Sequence, residues 1–225
     1  MAERPVFVPV ENGNNFTYSM PVDFKWHPGL SVSQKQKSIR SLHEAASLRL
    51  NGEILEISSK SEIELGRKLS AFTLELLLSS GEPCTVECAF QGSKVFTNGG
   101  PYSDLFGLES RAAKKDDRIK NSGNLIAFKF EEDLWPLDPI TCFYDWIYIN
   151  AVHQIPELSR SLTNYAGFSD IEFNPKKSLN CQAQSAARYV ALHKRGLLQQ
   201  ALSDKEFFKR TYESGSDVQI QGTLF

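Results

Sequence analysis

The sequence predicts a single α+β domain that is mostly helical and contains a few short strands. With 225 residues, the chain is long enough for one well-buried core and short for two independent domains. It shows no internal repeat and no low-complexity segment. Apolar residues recur at the helical period in several long segments, and short alternating segments lie between them.

Residues 1–60 are expected to form an N-terminal extension that packs on the same domain. Prolines at positions 5, 9, 21 and 28 interrupt the first apolar runs, so irregular or edge structure is expected there. A helix is predicted from Ser33 to Leu48, where apolar residues follow the helical period. Asn51-Gly52 then predicts a turn, and EILEISSK predicts a short strand.

Residues 61–212 are expected to form the main body of the domain. The apolar stretch 64–78 is compatible with a strand or with a loop followed by a strand. The sequence GNLIAFKF, residues 123–130, alternates in the manner of a strand.

Two strong helices are predicted in the C-terminal half. One covers residues 141–154, between two prolines, and the other covers 179–195, with Gly196 just past its end. The chain continues in helical style after that glycine, and residues 213–225 are expected to form a flexible tail.

Composition and charge exclude several broad classes. The formal net charge is −2, so no overall field favours nucleic acid and any phosphate-binding surface must be local. The N-terminal sequence has no apolar run of signal-peptide length, and no segment approaches the roughly 20 apolar residues that span a bilayer. We therefore expect a cytoplasmic protein with no membrane partner.

Cysteine and histidine give little support for a metal site. The four cysteines are expected to be free buried thiols in a reducing compartment. The sequence has no CxxC pattern, and its four histidines occur singly. We predict neither a metal nor another cofactor.

The stretch CTVECAFQGSKVF places three polar residues on one predicted face. Thr85 is a candidate helix N-cap, so the helix is predicted to run from Val86 onward. At about 100° per residue, Glu87, Gln91 and Lys94 then lie within roughly 60° of one another. Such a face is more often a solvated surface, whereas apolar neighbours favour an active site.

The sequence leaves the protonation state of Lys94 open. Burial against the flanking Val86 and Phe90 lowers the pKa of a lysine and makes its amine a better nucleophile. Glu87 acts in the opposite direction, because a neighbouring carboxylate stabilises the ammonium form.

A second candidate site lies in EFNPKKSLNCQ. Ser178 is a candidate N-cap for the following helix, whose free N–H groups favour an anion. Lys176 and Lys177 precede it, and Asn180 and Gln182 add amide donors in the first turn. These residues suit a phosphate or pyrophosphate, although a capped helix with two solvated lysines is the commoner arrangement.

Basic residues are concentrated in RAAKKDDRIK, residues 111–120. Such a run is usually a solvated helix face, and the alternative is contact with a nucleic-acid backbone. The residues expected to make that contact are Lys114, Lys115, Arg118 and Lys120.

Aromatic residues cluster in FYDWIYI, and most of them are expected in the core. One ring exposed in a cleft can stack on a base. Trp146 is the preferred candidate, because the adjacent Asp145 needs a reason to lie in an apolar helix.

The line LSAFTLELLLSSGEPCTVECAFQGSKVF resembles the NADAR (YbiA-like) family. The family hallmark is roughly a Ser-Asn-Phe segment, a short strand, and then Thr-x-Glu-His-x-x-Gln-x-x-Lys-Phe. The sequence departs from it in having Ala71 for Asn, Cys88 for His, and Val95 before the Phe. The matching residues are Ser70, Phe72, Thr85, Glu87, Gln91, Lys94 and Phe96.

Weaker matches extend the resemblance over about residues 64–195. Asp145-Trp146 resembles the family's Asp-Trp pair, and Asn180 resembles the Asn that opens its last conserved helix. The opening MAERPVFVP, the compact FNPKKSLNCQAQSAA segment and the chain length resemble the branch paired with DarT-type toxins. Those toxins attach ADP-ribose to guanine in DNA, and the NADAR partner is the antitoxin that removes it.

The resemblance implies an N-glycosyl hydrolase that removes ADP-ribose from the amino group of guanine in DNA. It also implies a cognate DarT-type toxin as partner, free ADP-ribose as product, and no cofactor. Glu87 and Lys94 are then the expected catalytic residues. The expected substrate-binding residues are Ser70, Phe72, Gln91, Trp146, Lys176, Asn180 and Gln182.

Two chemical routes are compatible with this catalytic pair. In the first, Glu87 activates water or stabilises the oxocarbenium ion, and Lys94 positions the ribose or protonates the leaving group. In the second, Lys94 attacks C1″ of the ribose and forms a Schiff base with the opened sugar, which water then releases.

Other functions stay open on the sequence. A protein of the same fold can be an N-glycosidase for a small phosphoribosylated metabolite, such as a riboflavin-pathway intermediate. The departures at Ala71 and Cys88 also allow a non-catalytic protein that binds ADP-ribose or occludes its toxin. In addition, the C-terminal QGTLF, residues 221–225, resembles the short peptides that dock on bacterial sliding clamps, which makes a clamp a further candidate partner.

Overall fold

Helical residues outnumber strand residues in the part of the chain that the computed structural model describes, residues 1–213. About 42% of these described residues are helical and 19% are strand, and the elements form one α+β domain, as the sequence predicts. The strands are β1 (Ala2–Pro9), β2 (Thr17–Phe24), β3 (Ile54–Glu56), β4 (Glu75–Leu77), β5 (Pro83–Thr85), β6 (Lys94–Phe96), β7 (Leu125–Phe130), β8 (Asp133–Trp135) and β9 (Gly167–Ser169). The helices are α1 (Val32–Ser47), α2 (Glu64–Lys68), α3 (Val86–Gly92), α4 (Ser110–Lys115), α5 (Arg118–Asn121), α6 (Cys142–His153), α7 (Pro156–Leu162), α8 (Gln182–Lys194), α9 (Leu198–Ser203) and α10 (Lys205–Glu213), with a 3-10 turn at Ser103–Gly107.

The N-terminal residues form a regular hairpin. Of the two alternatives expected there, irregular structure is wrong, and edge structure holds for β2, which lies at the edge of its sheet. Strands β1 and β2 pair along their full length, and the sheet continues through β9 to β3 in the order β2-β1-β9-β3. Pro5 and Pro21 lie opposite each other in this register. Their two missing N–H groups therefore fall at one cross-strand pair, and the third proline of the hairpin, Pro9, lies at the end of β1 opposite Thr17.

Helix α1 covers one face of this sheet, as its apolar period predicts. Its buried side chains include Ile39, Leu42 and Ala46, which pack with Met20 and Phe24 of strand β2. Ser31 caps the helix, because its side chain accepts a hydrogen bond from the backbone N–H of Gln34. This core also includes Ile171, which lies outside the first 60 residues.

The larger core surrounds helix α6, which is buried on nearly all sides. Helix α8 packs beside it, and α3 and α7 also contact it. Strands β6, β7 and β8 form a second antiparallel sheet whose Phe128 ring stacks on Phe143 at 4.7 Å between centroids. The helical predictions for 141–154 and for 179–195 are therefore confirmed, with a later start for the second.

Asp145 lies in this apolar helix because it organises a buried polar network. Its carboxylate accepts hydrogen bonds from the hydroxyls of Thr141, Ser185 and Tyr212. The guanidinium of Arg188 lies beside it, with Nε 3.8 Å from Oδ2, and both side chains are almost fully buried. The polar residue in the apolar segment is thus explained by contacts inside the protein.

Two segments differ from the sequence expectation in local structure. The stretch 64–78 contains a short helix, α2, before strand β4, where a strand or loop was expected. The basic stretch 111–120 is split into α4 and α5. Asp116 causes this break, because its backbone leaves the helical region and its carboxylate accepts from the N–H of Arg118.

The four cysteines are free and buried, as expected. Over residues 1–213, no helix is long and apolar enough to cross a membrane. The same residues contain no group of three or more His, Cys, Asp or Glu side chains suited to hold a metal ion. The peptide QGTLF, proposed to dock on a sliding clamp, lies outside the described residues, as does nearly all of the predicted tail.

Candidate active site

A cleft of about 810 Å³ opens where α3, α6 and the start of α8 meet. Its wall also includes residues 58–59, residues 70–72 and the loop before α6. This volume lies in the upper part of the roughly 300–1,000 Å³ range of small-molecule sites. Most of the polar residues singled out in the sequence lie on this surface.

The segment Ser70–Phe72 is fixed against the beginning of α3. The backbone N–H of Glu87 donates to the carbonyl of Ala71 at 2.9 Å. Thr85 caps the helix as predicted, because its hydroxyl accepts from the N–H of Cys88. The buried Ser70 and the half-buried Phe72 therefore reach the cleft beside Glu87.

Glu87, Gln91 and Lys94 form one hydrogen-bonded chain on the cleft wall. The Nζ of Lys94 donates to Oε1 of Gln91 at 2.7 Å, and Nε2 of Gln91 donates to Oε1 of Glu87 at 2.9 Å. Glu87 and Gln91 are only 5% and 6% exposed. The three residues meet as the sequence predicts, with the amide holding the carboxylate and the amine apart.

Lys94 is not part of the helix, and this corrects the prediction of a helix running through it. Helix α3 ends at Gly92, and Lys94 is the first residue of β6, where it pairs with Phe128 of β7. At Gly92, an added Cβ would lie 2.5 Å from the Phe106 ring, so glycine allows this close packing at the helix end. The lysine side chain still returns to Gln91 across the turn.

Burial decides the protonation of Lys94. Loss of solvation lowers its pKa from 10.5 to about 8, and Glu87 opposes this change. The positive charge of Lys114 lowers the pKa further. The Nζ atom also lies 4.7 Å from the centroid of the Phe90 ring. An amine in this state is a usable nucleophile or proton acceptor near neutral pH.

Lys114 joins this site from α4. Its Nζ lies 3.7 Å from Oε1 of Glu87 and 4.8 Å from the centroid of the Phe72 ring. The residue was expected to contact DNA phosphates, and the structure places it in the wall of the cleft. The site thus contains one carboxylate and two amines around a bridging amide.

Comparison with protein families identifies the family to which the chain belongs. Residues 2–221 match the family described as the DarT1-associated NADAR antitoxin. The chain belongs to this family. A comparison with curated proteins finds no match. The family makes the protein an antitoxin with a DarT1 toxin as its cognate partner, and N-glycosidic hydrolysis is the general activity of NADAR proteins.

The two departures from the NADAR hallmark have defined places in the antitoxin. Cys88 is fully buried, and its thiol donates to the carbonyl of Leu108 at 3.1 Å. Ala71 lines the cleft, and its N–H donates to Oε1 of Gln182 at 2.7 Å. The backbone at Ala71 is thus held although no amide side chain is present there.

The start of α8 also contributes to the cleft, but not through the predicted cap. The N-cap is Cys181, and the helix begins at Gln182, so the assignment of Ser178 as the cap is wrong. The reason is Asn174, whose carbonyl accepts from the N–H of Ser178 and holds that segment in a turn. Asn180 lies in the cleft wall, whereas Lys176 is exposed outside it.

Gln182 was expected to offer a free amide to substrate, but its amide is used inside the protein. Its Nε2 donates to the carbonyl of Ile57 at 2.7 Å and to Oδ2 of Asp170 at 3.0 Å. Its Oε1 accepts from Ala71, as described above. The side chain therefore joins three segments of the cleft wall, which makes it a positioning residue.

The other basic residues of the run at 111–120 lie outside the cleft. Arg118 is held by Asp104 and Asp116, with hydrogen bonds between 2.7 and 3.2 Å. Lys115 and Lys120 are exposed. Among the four residues expected to contact DNA, only these two lysines offer exposed charge away from the cleft without a described ion pair.

Trp146 does not line the cleft of the antitoxin. It packs on Trp135, with 5.0 Å between ring centroids, and on Phe130. The aromatic residue of α6 that does line the cleft is Tyr144, two positions earlier. Sequence periodicity could not choose between them, because α6 is apolar on every side.

Sequence reasoning also missed Asp170, which lines the cleft beside Gln182 at the start of α8. Burial and the nearby Glu56 raise its pKa to about 7. The residue directly follows β9, outside any helix or strand, and no local pattern distinguishes it. Only the approach of Gln182 and Glu56 identifies it.

Proposed function

We propose that this antitoxin is an N-glycosyl hydrolase that removes ADP-ribose from the amino group of guanine in DNA. The observation that carries the proposal is the chain Glu87–Gln91–Lys94, with a pKa of Lys94 lowered to about 8, on the wall of a large cleft. Family membership supports the class of reaction, because a cognate DarT1 toxin needs an opposing activity.

The charges along the cleft suit an ADP-ribosyl group. The ribose with the bond to guanine is proposed to lie at Glu87 and Lys94. The pyrophosphate is then proposed to lie at Lys177 and Asn180, where the start of α8 adds backbone donors. Ser70 and Phe72 border the same wall and are proposed substrate contacts.

The lowered pKa of Lys94 supports the Schiff-base route over the direct attack of water. An appreciable fraction of its amine is neutral near pH 7.5, so its lone pair is available for C1″ of the ribose. Glu87 is then proposed to stabilise positive charge at that carbon as the bond to guanine breaks. As the Schiff base forms, one proton of the Lys94 amine goes to the leaving guanine amine and the other to the ring oxygen, whose bond to C1″ breaks and opens the ribose. Water then hydrolyses the Schiff base, which releases ADP-ribose and regenerates the Lys94 amine.

The guanine is proposed to enter from single-stranded DNA or by extrusion from a duplex. Lys115 and Lys120 are the proposed contacts to DNA phosphates, because both are exposed. Arg118 is a weaker candidate, since two aspartates already hold its guanidinium. Lys114 lines the cleft itself, and Lys176 is exposed outside it.

The test is release of ADP-ribose from an oligonucleotide that carries one ADP-ribosylated guanine. Wild type is compared with Glu87→Gln and Lys94→Ala, and circular dichroism checks the fold of each. Glu64→Gln and Lys68→Ala are matched controls, because that exposed pair, 2.9 Å apart, lies outside the cleft. Release by wild type and both controls, lost in the two site variants, is the expected result.

Other outcomes separate the remaining functions. Absence of release by folded wild type contradicts the proposal and favours a small-molecule N-glycosidase or a toxin-occluding protein. Tight binding of ADP-ribose without any turnover favours the non-catalytic reading. Borohydride added during turnover should trap a covalent adduct on Lys94, and its absence favours direct attack by water.

A further inference from the structure

Tyr144 is a buried tyrosine whose hydroxyl has no partner inside the protein. The residue is 6% exposed and lines the cleft. Its hydroxyl makes no hydrogen bond to any part of the chain between residues 1 and 213. The oxygen is not sealed in the core either, so it faces the space of the cleft.

Neighbouring tyrosines do not share this property. The hydroxyl of Tyr148, one turn further along α6, donates to the carbonyl of Leu69 at 2.8 Å. The hydroxyl of Tyr212 donates to Asp145, and that of Tyr189 lies 3.5 Å from Nδ1 of His153. Buried tyrosine hydroxyls usually have such a partner, because an unpaired one is costly. The exception therefore points to a partner that enters the cleft.

The ring of Tyr144 is fixed next to the proposed reaction centre. Its edge packs on Phe90, with 5.2 Å between centroids, and its face stacks on Tyr148 at 6.4 Å. The same Phe90 ring carries the Nζ of Lys94 at 4.7 Å. Tyr144 and Lys94 thus flank one aromatic ring on the cleft wall.

The hydroxyl of Tyr144 is suited to donate a hydrogen bond. Burial, and after it the negative charge of Glu87, raise the pKa of this phenol well above 10. The group therefore keeps its proton at physiological pH. A neutral donor on the same cleft wall as Glu87 and Lys94 matches an uncharged oxygen of the ligand.

We infer that Tyr144 contacts the substrate, and that its hydroxyl donates a hydrogen bond to an oxygen of the ribose whose bond to guanine is broken. The inference rests on the proposed function, which places that ribose at Glu87 and Lys94. The oxygens closest to the reacting carbon are the ring oxygen and the adjacent hydroxyl. A donor held there orients the sugar for attack by the amine.

The test compares Tyr144→Phe with wild type on the ADP-ribosylated oligonucleotide, together with affinity for free ADP-ribose. We expect kcat/KM to fall about 10- to 100-fold, because a buried ribose oxygen loses its donor. Binding of ADP-ribose should weaken in parallel. The melting temperature should not fall, because the hydroxyl has no protein partner to lose.

Tyr148→Phe is the matched control for a structural hydroxyl. It removes the hydrogen bond to Leu69 and should lower the melting temperature, which Tyr144→Phe should not do. If wild type turns over and Tyr144→Phe stays within about twofold in kcat/KM and in ADP-ribose affinity, the inference is wrong. If wild type does not release ADP-ribose from the oligonucleotide, the proposed function fails. The affinities of wild type and Tyr144→Phe for free ADP-ribose then decide whether Tyr144 contacts the ligand.

Discussion

The Nζ atom of Lys114 lies 3.7 Å from Oε1 of Glu87, although the two residues belong to different helices. This contact brings a second amine to the site that contains Lys94. Two ammonium groups close together disfavour each other, which adds to the effect of burial on the pKa of Lys94. The contact therefore places a basic residue of α4 beside the candidate catalytic residue of α3.

The rate of ADP-ribose release should depend on the protonation of Lys94. If its neutral amine attacks the ribose, kcat/KM rises with pH below about 8 and levels off above it. The slope of the rising limb in a logarithmic plot should be about one. If kcat/KM instead stays constant from well below pH 8 to above it, the neutral amine is not required.

Replacing Lys114 with Met should move that limb to higher pH. The substitution removes a positive charge that lowers the pKa of Lys94, so the amine is protonated over a wider range. The expected result is reduced kcat/KM at pH 7 that recovers at pH 9. Lys68→Met is the matched control, because its exposed side chain lies outside the cleft and should leave the limb unchanged.

Replacing Gln182 with Leu should destabilise the fold by about 2–4 kcal/mol. The change leaves the N–H of Ala71 and the carbonyl of Ile57 without their buried partner. Urea unfolding measures the loss. Gln154→Leu is the control, because it removes a similar bond to the N–H of Leu77 at an exposed position and should cost less. Equal losses in the two variants would contradict the assigned positioning role.

Replacing Asp145 with Ala should cost about 3–5 kcal/mol of unfolding free energy. The buried guanidinium of Arg188 would then lose the counter-charge of Asp145, and three hydroxyls would lose their acceptor. Thr141→Val removes one of those donors and should cost about 1 kcal/mol. A loss below 1 kcal/mol for Asp145→Ala, measured by urea unfolding, would refute the structural account of this residue.

Sequence reasoning was accurate where the pattern is local. The N-cap at Thr85, the amphipathic α1, the apolar α6 and the strand at Leu125–Phe130 all follow from short-range rules. It failed where long-range pairing decides. The prolines of the first 30 residues obscured a hairpin that is stabilised by neighbouring strands and by α1.

For the candidate site, the sequence identified most of the cleft wall and missed Tyr144 and Asp170. Spacing brought Glu87, Gln91 and Lys94 together, although the lysine reaches the others from a strand. Trp146 was preferred over Tyr144, because an all-apolar helix carries no mark of which ring faces a cleft. Asp170 comes from a loop, and only packing places it there.

By itself, the sequence determined the α+β class, the grouping of Glu87, Gln91 and Lys94, and the resemblance to NADAR proteins. These features depend on composition and short spacings. The tertiary structure decided the quantities that depend on surroundings. It resolved the opposing effects on Lys94 in favour of burial, brought Lys114 into the cleft, and turned the amide of Gln182 inward. Desolvation and hydrogen bonding arise from residues far apart in the chain, so no local pattern could have fixed them.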